Sequence, residues 1–503
     1  MRAKTLMIQG TSSSVGKSVL STALCRIFRQ EGLRVAPFKA QNMALNSFVT
    51  KDGGEIGRAQ AVQAEAAGID PTVDMNPILI KPEADARAQI IVLGHPLDTL
   101  SAQDYYSRKA SLWSVARGSL ERLMSNYDLI VIEGAGSPVE VNLKDGDIVN
   151  MRVAKLVSSP VFLVGDVDKG GVFASLVGTM ELLEPDERDL VKGFVINKFR
   201  GELSLLKPGL SFLEEKTGIR VVGVVPYFRD IFVAQEDSVY LEHRKDTEKD
   251  GFNLDIAVLK LPHISNFDDF DPLEQEPGVR VRYVERCDDM GQPDLIIVPG
   301  SKSTMADLLF LRKVGLAQRV VDLARSGTPV IGICGGYQML GREIKDPERV
   351  ESSSDWMEGL GLLDISTTFE RTKTTRQVRC SVAADRGLFE NSRGLGLVGY
   401  EIHMGITNVG CIPPAFVVES RRTGERHHDG AVSEDGTVFG SYLHGLFDTA
   451  EFRRNLLANL LKRKGLDFEK SPVVVSREQN YNRLADLVRR SLDMDYLWEV
   501  VRG

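Results

Sequence analysis

The stretch that most constrains this chain is Gly10-Thr11-Ser12-Ser13-Ser14-Val15-Gly16-Lys17-Ser18. It follows the apolar run Leu6-Met7-Ile8 and leads into a helical pattern with Val19, Leu20, Ala23, Leu24, Ile27 and Phe28 on one face. Strand, Gly- and Ser-rich turn, Gly-Lys-Ser and helix, in that order, form a cradle for nucleotide phosphates. Backbone N–H groups of the turn and helix N-terminus bind the anion, Lys17 adds charge, and the Ser18 hydroxyl is a candidate Mg²⁺ ligand. Gly10, Thr11, Ser14, Gly16, Lys17 and Ser18 are thus expected to hold a nucleoside triphosphate such as ATP. One position departs from the usual motif: Thr11 stands five places before Gly16, where glycine is expected, with Gly10 just before it.

The first half continues as an α/β alternation. Tyr127-Asp128-Leu129-Ile130-Val131-Ile132 is a near-continuous apolar run, as buried parallel strands require. It leads into Glu133-Gly134-Ala135-Gly136, and later runs lead into Gly165-Asp166, Asn197-Lys198 and Pro226-Tyr227. The expectation is a doubly wound parallel sheet over residues 1–240, with ligands outside the carboxyl ends of its strands. Lys39, Lys81, Lys169, Lys198 and Arg200 each lie just past an apolar run, with Arg58 and Lys144 nearby in sequence. In a chain of net charge −8, that placement predicts a basic rim for a polyanionic co-substrate. Lys39, Gln41, Asn42, Arg58, Asp147 and Lys169 are the expected substrate contacts, although turn chemistry explains Asp147 equally well. Glu133 is the expected carboxylate at the metal beside Ser18, with Glu55 as a further candidate, and Asn197 joins the nucleotide contacts.

At 503 residues the chain exceeds a single core. The charged stretch 241–252 reads as a linker, followed by a second α/β domain over 253–460. There Pro329-Val330-Ile331-Gly332-Ile333-Cys334-Gly335-Gly336 is a buried strand turning sharply at a cysteine into a helix, the form of a nucleophile elbow. The helix N-terminus favours the thiolate of Cys334. The N–H of Gly335 is expected to form half of an oxyanion hole, with Gly300 or Ser301 giving the other half. His444, on the final apolar run, is the expected base, with His403 as competitor. Residues 461–503 carry an amphipathic stripe of Leu484, Leu487, Val488, Leu492 and Leu497, expected to pack on the second domain. Negative net charge argues against nucleic acid, and neither a leader peptide nor a membrane span is expected. Five scattered cysteines suit a reducing cytosol, so a soluble cytoplasmic protein is expected.

Taken in order, these stretches resemble the cobyric acid synthase family, glutamine-dependent amidotransferases of corrinoid biosynthesis, over nearly the whole chain. The most specific are Gly10 to Ser18, Pro37 to Ser47, Asn76 to Pro82, Glu133 to Pro138, Asp166 to Gly171 and Pro262 to Pro272. Gly332 to Gly341, Gly399 to Gly405 and Tyr442 to Phe447 complete the set. The first half also resembles dethiobiotin synthetase, and the second is similar to class I glutaminases. The resemblance implies amidation of the b, d, e and g propionates of adenosylcobyrinic acid a,c-diamide, using ATP, Mg²⁺ and glutamine. It implies phosphorylation of each carboxylate in the first domain. It also implies attack of Cys334 on glutamine, with His444 as acid and base.

Many glutaminases carry a glutamate two residues after the histidine, where this chain has Leu446; in the corrinoid branch that loss is usual. It leaves the orientation of His444 to another group, Glu401 or a backbone carbonyl. Cobyrinic acid a,c-diamide synthase is the nearest rival, disfavoured by the Lys39 to Ser47 loop. A partitioning-type ATPase with an inert second domain is the rival from a different class, disfavoured by the thiol elbow and its histidine.

Overall fold

The computed structural model describes residues 3–83, 87–234, 251–467 and 475–502. In the first domain β1 (Lys4–Gly10), β2 (Val35–Phe38), β3 (Leu129–Glu133), β4 (Val161–Asp166), β5 (Val191–Phe199) and β6 (Val221–Pro226) form one sheet. Its order is β6-β5-β4-β1-β3-β2, and every pairing is parallel. β1 is central, so Gly10 lies level with Val164 of β4, and Ile8 with Glu133 of β3. That register brings three strand ends to one mouth. Helix α1 (Lys17–Gln30) and helix α2 (Arg58–Ala67) cover one face of the sheet.

The second domain repeats the parallel theme with β7 (Leu254–Leu259), β8 (Val279–Val284), β9 (Leu295–Val298) and β10 (Val330–Ile333). Helix α3 (Gly335–Leu340) follows β10. A long antiparallel ribbon, β11 (Ile365–Val382) and β12 (Gly396–Val409), stands beside the sheet. β13 (Ala431–Val432) pairs antiparallel with β14 (Val438–Ser441), which completes the order β8-β7-β9-β10-β14-β13. β15 (Leu443–His444) then crosses to the ribbon, placing His444 opposite Tyr400.

The two domains touch through a first-domain hairpin, Ser47–Val49 with Glu55–Gly57, laid on the ribbon. Gln377 Nε2 donates to the Val49 carbonyl (2.9 Å) and Thr375 Oγ1 to that of Gly53 (2.7 Å). The expected linker, apart from its last two residues, lies outside the described residues.

The tail corrects an expectation. Helix α4 (Arg477–Ser491) and helix α5 (Met494–Arg502) pack on the first domain, not the second. Leu484, Val488, Leu492, Leu497 and Val501 share one core with Leu24, Ile27 and Phe28 of α1, and Trp498 meets the Phe28 ring edge-on at 5.0 Å. Tyr481 donates to Glu65 (2.8 Å), and Arg26 pairs with Glu478. An amphipathic stripe states that a helix needs an apolar partner; it does not say which one.

Candidate active site

Two strand-end clefts hold the chemistry. At the first, the phosphate loop is bent by Ser14 (φ 59°) and Gly16 (φ 103°), both left-handed. A side chain at Gly16 would run into Asn197, whose Nδ2 donates to the Val15 carbonyl at 2.7 Å. Asn197 therefore supports the loop from behind. The Thr11 departure also has a cause. A Cβ on Gly10 would lie 2.5 Å from Val15 Cγ2, so the required glycine is Gly10. The Thr11 amide simply extends the strand, donating to Val164 O (3.0 Å).

Lys17 Nζ is held by the carbonyls of Ser12 (2.8 Å) and Gly136 (3.1 Å). Ser18 Oγ donates to Glu133 Oε1 (2.9 Å), as does Lys39 Nζ (3.0 Å), and Gln63 of α2 donates to Oε2. Burial opposes ionisation of Glu133, but the Lys39 ammonium and these hydrogen bonds outweigh it and hold the carboxyl below its usual range. A hydroxyl and a carboxylate converging on a phosphate loop are the hard oxygen donors Mg²⁺ takes when phosphates and water complete its shell. Among the described residues no cluster of three or more His, Cys, Asp or Glu could hold a metal, so any ion here relies on such shared ligation.

The basic rim is largely pre-neutralised, against expectation. Lys39 pairs with Glu133, Lys81 with Glu55 (2.8 Å), Lys198 with Asp166 (2.8 Å) and Arg200 with Asp168 (2.9 Å). Glu55, fully buried, also takes Lys373 of the second domain. Burial pushes its carboxyl up, but the two lysines prevail and bring it to about 2. That arrangement makes it an interdomain ion-pair centre instead of the metal ligand anticipated. Arg58 is likewise buried against Asp268 of the second domain (2.8 Å) and away from any rim. Asp147 accepts the amides of Val149 (2.8 Å) and Asn150 (3.0 Å), so it shapes the turn before a helix. Asn42 is buried and donates to Gln60 (3.1 Å), Gln41 is half-buried on an adjoining strand, and Lys169 is exposed at the end of β4. Charges at strand ends were legible; their carboxylate partners, distant in sequence, were not.

At the second cleft Cys334 is the residue where β10 turns into α3, with φ 51° and ψ −109°. The strain is affordable only because small residues surround it: a Cβ on Gly336 would strike the Val298 carbonyl at 1.9 Å. The Cys334 thiol donates to the Ile402 carbonyl at 3.4 Å, and its interaction with His444 favours the charged imidazole. His444 Nδ1 meets Asp269 Oδ2 at 2.6 Å, and Asp269 Oδ1 accepts the Gly445 amide (2.8 Å). Tyr400 stacks on the imidazole at 5.2 Å and 16°. Burial disfavours the imidazolium, yet the Asp269 carboxylate and the bonds to Asp269 and Cys334 raise His444 to about 10. The structure thus forms a Cys334–His444–Asp269 line.

Asp269 was missed. It stands in Asn266-Phe267-Asp268-Asp269-Phe270, where two carboxylates lie between buried phenylalanines, a visible signal without a stated partner. Glu401 is turned away, toward Arg376 and His427 (3.2 Å). His403 stacks on Tyr442 (3.7 Å), donates from Nδ1 to the Gly405 carbonyl (2.8 Å), and is driven by burial to about 4. Near Cys334, a Cβ on Gly335 would sit 2.9 Å from the Ser301 amide nitrogen, so those two N–H groups are neighbours. Gly300 faces His444 instead, where a Cβ would lie 3.4 Å from Cε1.

Residues 6–239 match the family model described as the CobQ/CobB/MinD/ParA nucleotide binding domain, and residues 255–452 match the CobB/CobQ-like glutamine amidotransferase domain. A cobyric acid synthase from Sorangium cellulosum is 56% identical over 515 residues, spanning 100% of this chain and 99% of that protein. One from Dehalococcoides mccartyi strain CBDB1 is 53% identical over 500 residues, 99% of both chains. The chain belongs to the cobyric acid synthase family. A third relative carrying that name, from Moorella thermoacetica, is 51% identical over 98% of this chain and 96% of its own length. Membership of the cobyric acid synthase family makes this chain a glutamine amidotransferase ligase of cobalamin biosynthesis. No helix among the described residues is long and apolar enough to cross a membrane.

Proposed function

We propose that the chain amidates the b, d, e and g propionates of adenosylcobyrinic acid a,c-diamide in turn, each with ATP and glutamine. The observation that carries this reading is the Cys334–His444–Asp269 line joined in one chain to a phosphate loop. In the first domain, Lys17 and the loop amides hold the transferred phosphoryl group, and the substrate carboxylate takes it to become an acyl phosphate. Ser18 and Glu133 are the residues that would hold Mg²⁺, which supplies charge neutralisation at the phosphates.

In the second domain, the Cys334 thiolate attacks the glutamine amide carbon. The resulting oxyanion falls to the Gly335 and Ser301 amides, and His444 gives its proton to the departing ammonia. Asp269 fixes the imidazole with Nδ1 inward, so that the other ring nitrogen serves Cys334. Water, deprotonated by His444, then releases glutamate from the thioester, while ammonia displaces phosphate from the acyl phosphate.

The reaction lies in the cytoplasm on this reading. Incubation with ATP, Mg²⁺, glutamine and the a,c-diamide, followed by mass spectrometry, is expected to show four successive amidations. No mass change on the a,c-diamide, whether or not a parallel incubation with cobyrinic acid shows amidation at a and c, overturns the proposal.

A further inference from the structure

Helix α2 touches both clefts. Gln63, in its second turn, donates to Glu133 beside the phosphate loop. Arg58, its first residue, reaches Asp268 of the second domain, with both side chains at most 5% exposed. Asp268 is the neighbour of Asp269, which holds His444. A second route runs alongside. Lys39, which pairs with Glu133, gives its carbonyl to Asn76 Nδ2 (3.1 Å), and Asn76 Oδ1 takes the Gly57 amide (2.9 Å) at the start of α2. The preceding loop is equally engaged: Asn46 accepts the Phe267 amide (3.3 Å), and Ser47 N donates to Asn266 (3.1 Å). Asn266 in turn donates to Tyr400 OH (2.9 Å), and Tyr400 stacks on His444. Asp268, Phe267 and Asn266, in the turn that carries Asp269, thus each have a first-domain partner.

The Arg58–Asp268 pair is close but poorly aligned. Arg58 Nε and Asp268 Oδ1 are buried atoms without a hydrogen-bond partner, although the charges lie 2.8 Å apart. A buried ion pair in that condition is costly, and small rotations of either side change its energy steeply. The geometry points to α2 as the element that couples the nucleotide site to the glutaminase triad, with Arg58 as a positioning residue acting through Asp268 on Asp269. A change in what Glu133 binds displaces Gln63 and Lys39, moves the N-terminus of α2, and resets the turn that carries Asp269. Glutamine cleavage then answers to nucleotide occupancy, which keeps ammonia from being released where no acyl phosphate awaits it. This inference rests on the amidotransferase reading above.

The test uses the whole protein and a chloroketone analogue of glutamine that alkylates Cys334. In the wild type, a non-hydrolysable ATP analogue with Mg²⁺ is expected to change the alkylation rate at least fivefold. In Asp268→Asn the response is expected to fall to within about 1.5-fold of none, with the rate lacking nucleotide preserved within about threefold. Arg58→Met is expected to lose the response and Arg58→Lys to restore part of it, a split that a merely structural role does not produce. Because coupling of binding is reciprocal, the factor by which the ATP analogue changes the affinity for unreacted glutamine should equal the factor by which glutamine changes the affinity for the ATP analogue. A wild type that hydrolyses glutamine but shows no nucleotide response, or an Asp268→Asn variant that keeps it, overturns the coupling alone. A wild type that cannot hydrolyse glutamine at all overturns the amidotransferase reading and the coupling with it.

Discussion

The two clefts solve the same architectural problem differently. Both put the proposed binding groups where a parallel strand turns into a helix. At the phosphate loop the binding groups are mostly backbone amides and two side chains within nine residues, Gly10 to Ser18. At the thiol elbow the groups come from residues 269, 300–301, 334 and 444, gathered by three separate strand ends and one turn. The difference follows from the chemistry. A phosphate is an anion that successive N–H groups can surround, whereas acyl transfer needs a nucleophile, an acid–base group and its anchor at fixed mutual angles.

The largest test of that contrast is Cys334→Ala. Glutamine-dependent amidation should fall by roughly four orders of magnitude or more, while amidation with free ammonia stays within about twofold, both read from product mass. If ammonia fails to rescue, the two clefts are not separate stations.

Asp269→Asn comes next, with glutamate release expected to fall on the order of a thousandfold. The wild-type alkaline limb should lie near the His444 value of about 10 and move to lower pH in the variant, since the carboxylate is what raises the imidazole against burial. The stability sign follows from the same raised value. The pair's contribution is complete below about pH 6.5, the ordinary imidazole range, and is lost as pH rises through about 10. Thermal melts of the two proteins should therefore differ most near pH 6 and converge in alkali.

Lys17→Ala should lower ATP-dependent amidation about a hundredfold with either nitrogen source and leave glutamate release without nucleotide nearly intact. Equal loss of both activities would show that the phosphate loop and the elbow are one site. The smallest effect on chemistry is expected from Leu484→Ala in the tail. Its fully buried side chain should cost about 2–5 kcal/mol of first-domain stability, seen as a lower melting temperature, with activity kept in the cold.

The phosphate loop, the elbow at Cys334 and the match to His444 were legible because each is a local pattern: apolar run, small-residue turn, helix. Leu446 showed only that the usual orienting glutamate was missing. Asp269 stands in that role 175 residues upstream of His444, and no period or spacing connects the two positions. The basic rim shows the opposite error, since lysines placed by sequence were counted without the carboxylates that meet them. Arg58 and Glu55 were assigned to substrate and metal, yet both are buried in contact with the second domain.

The sequence by itself determined the two parallel α/β domains, the loop that binds phosphate and the thiol poised at a strand end, because backbone geometry and local sterics set each of these within a dozen residues. The tertiary structure alone decided which carboxylate anchors His444, which domain the tail completes and which carboxylates meet the strand-end cations. Those depend on burial and on charges brought together across hundreds of residues, and a buried charge is defined by its partner in space.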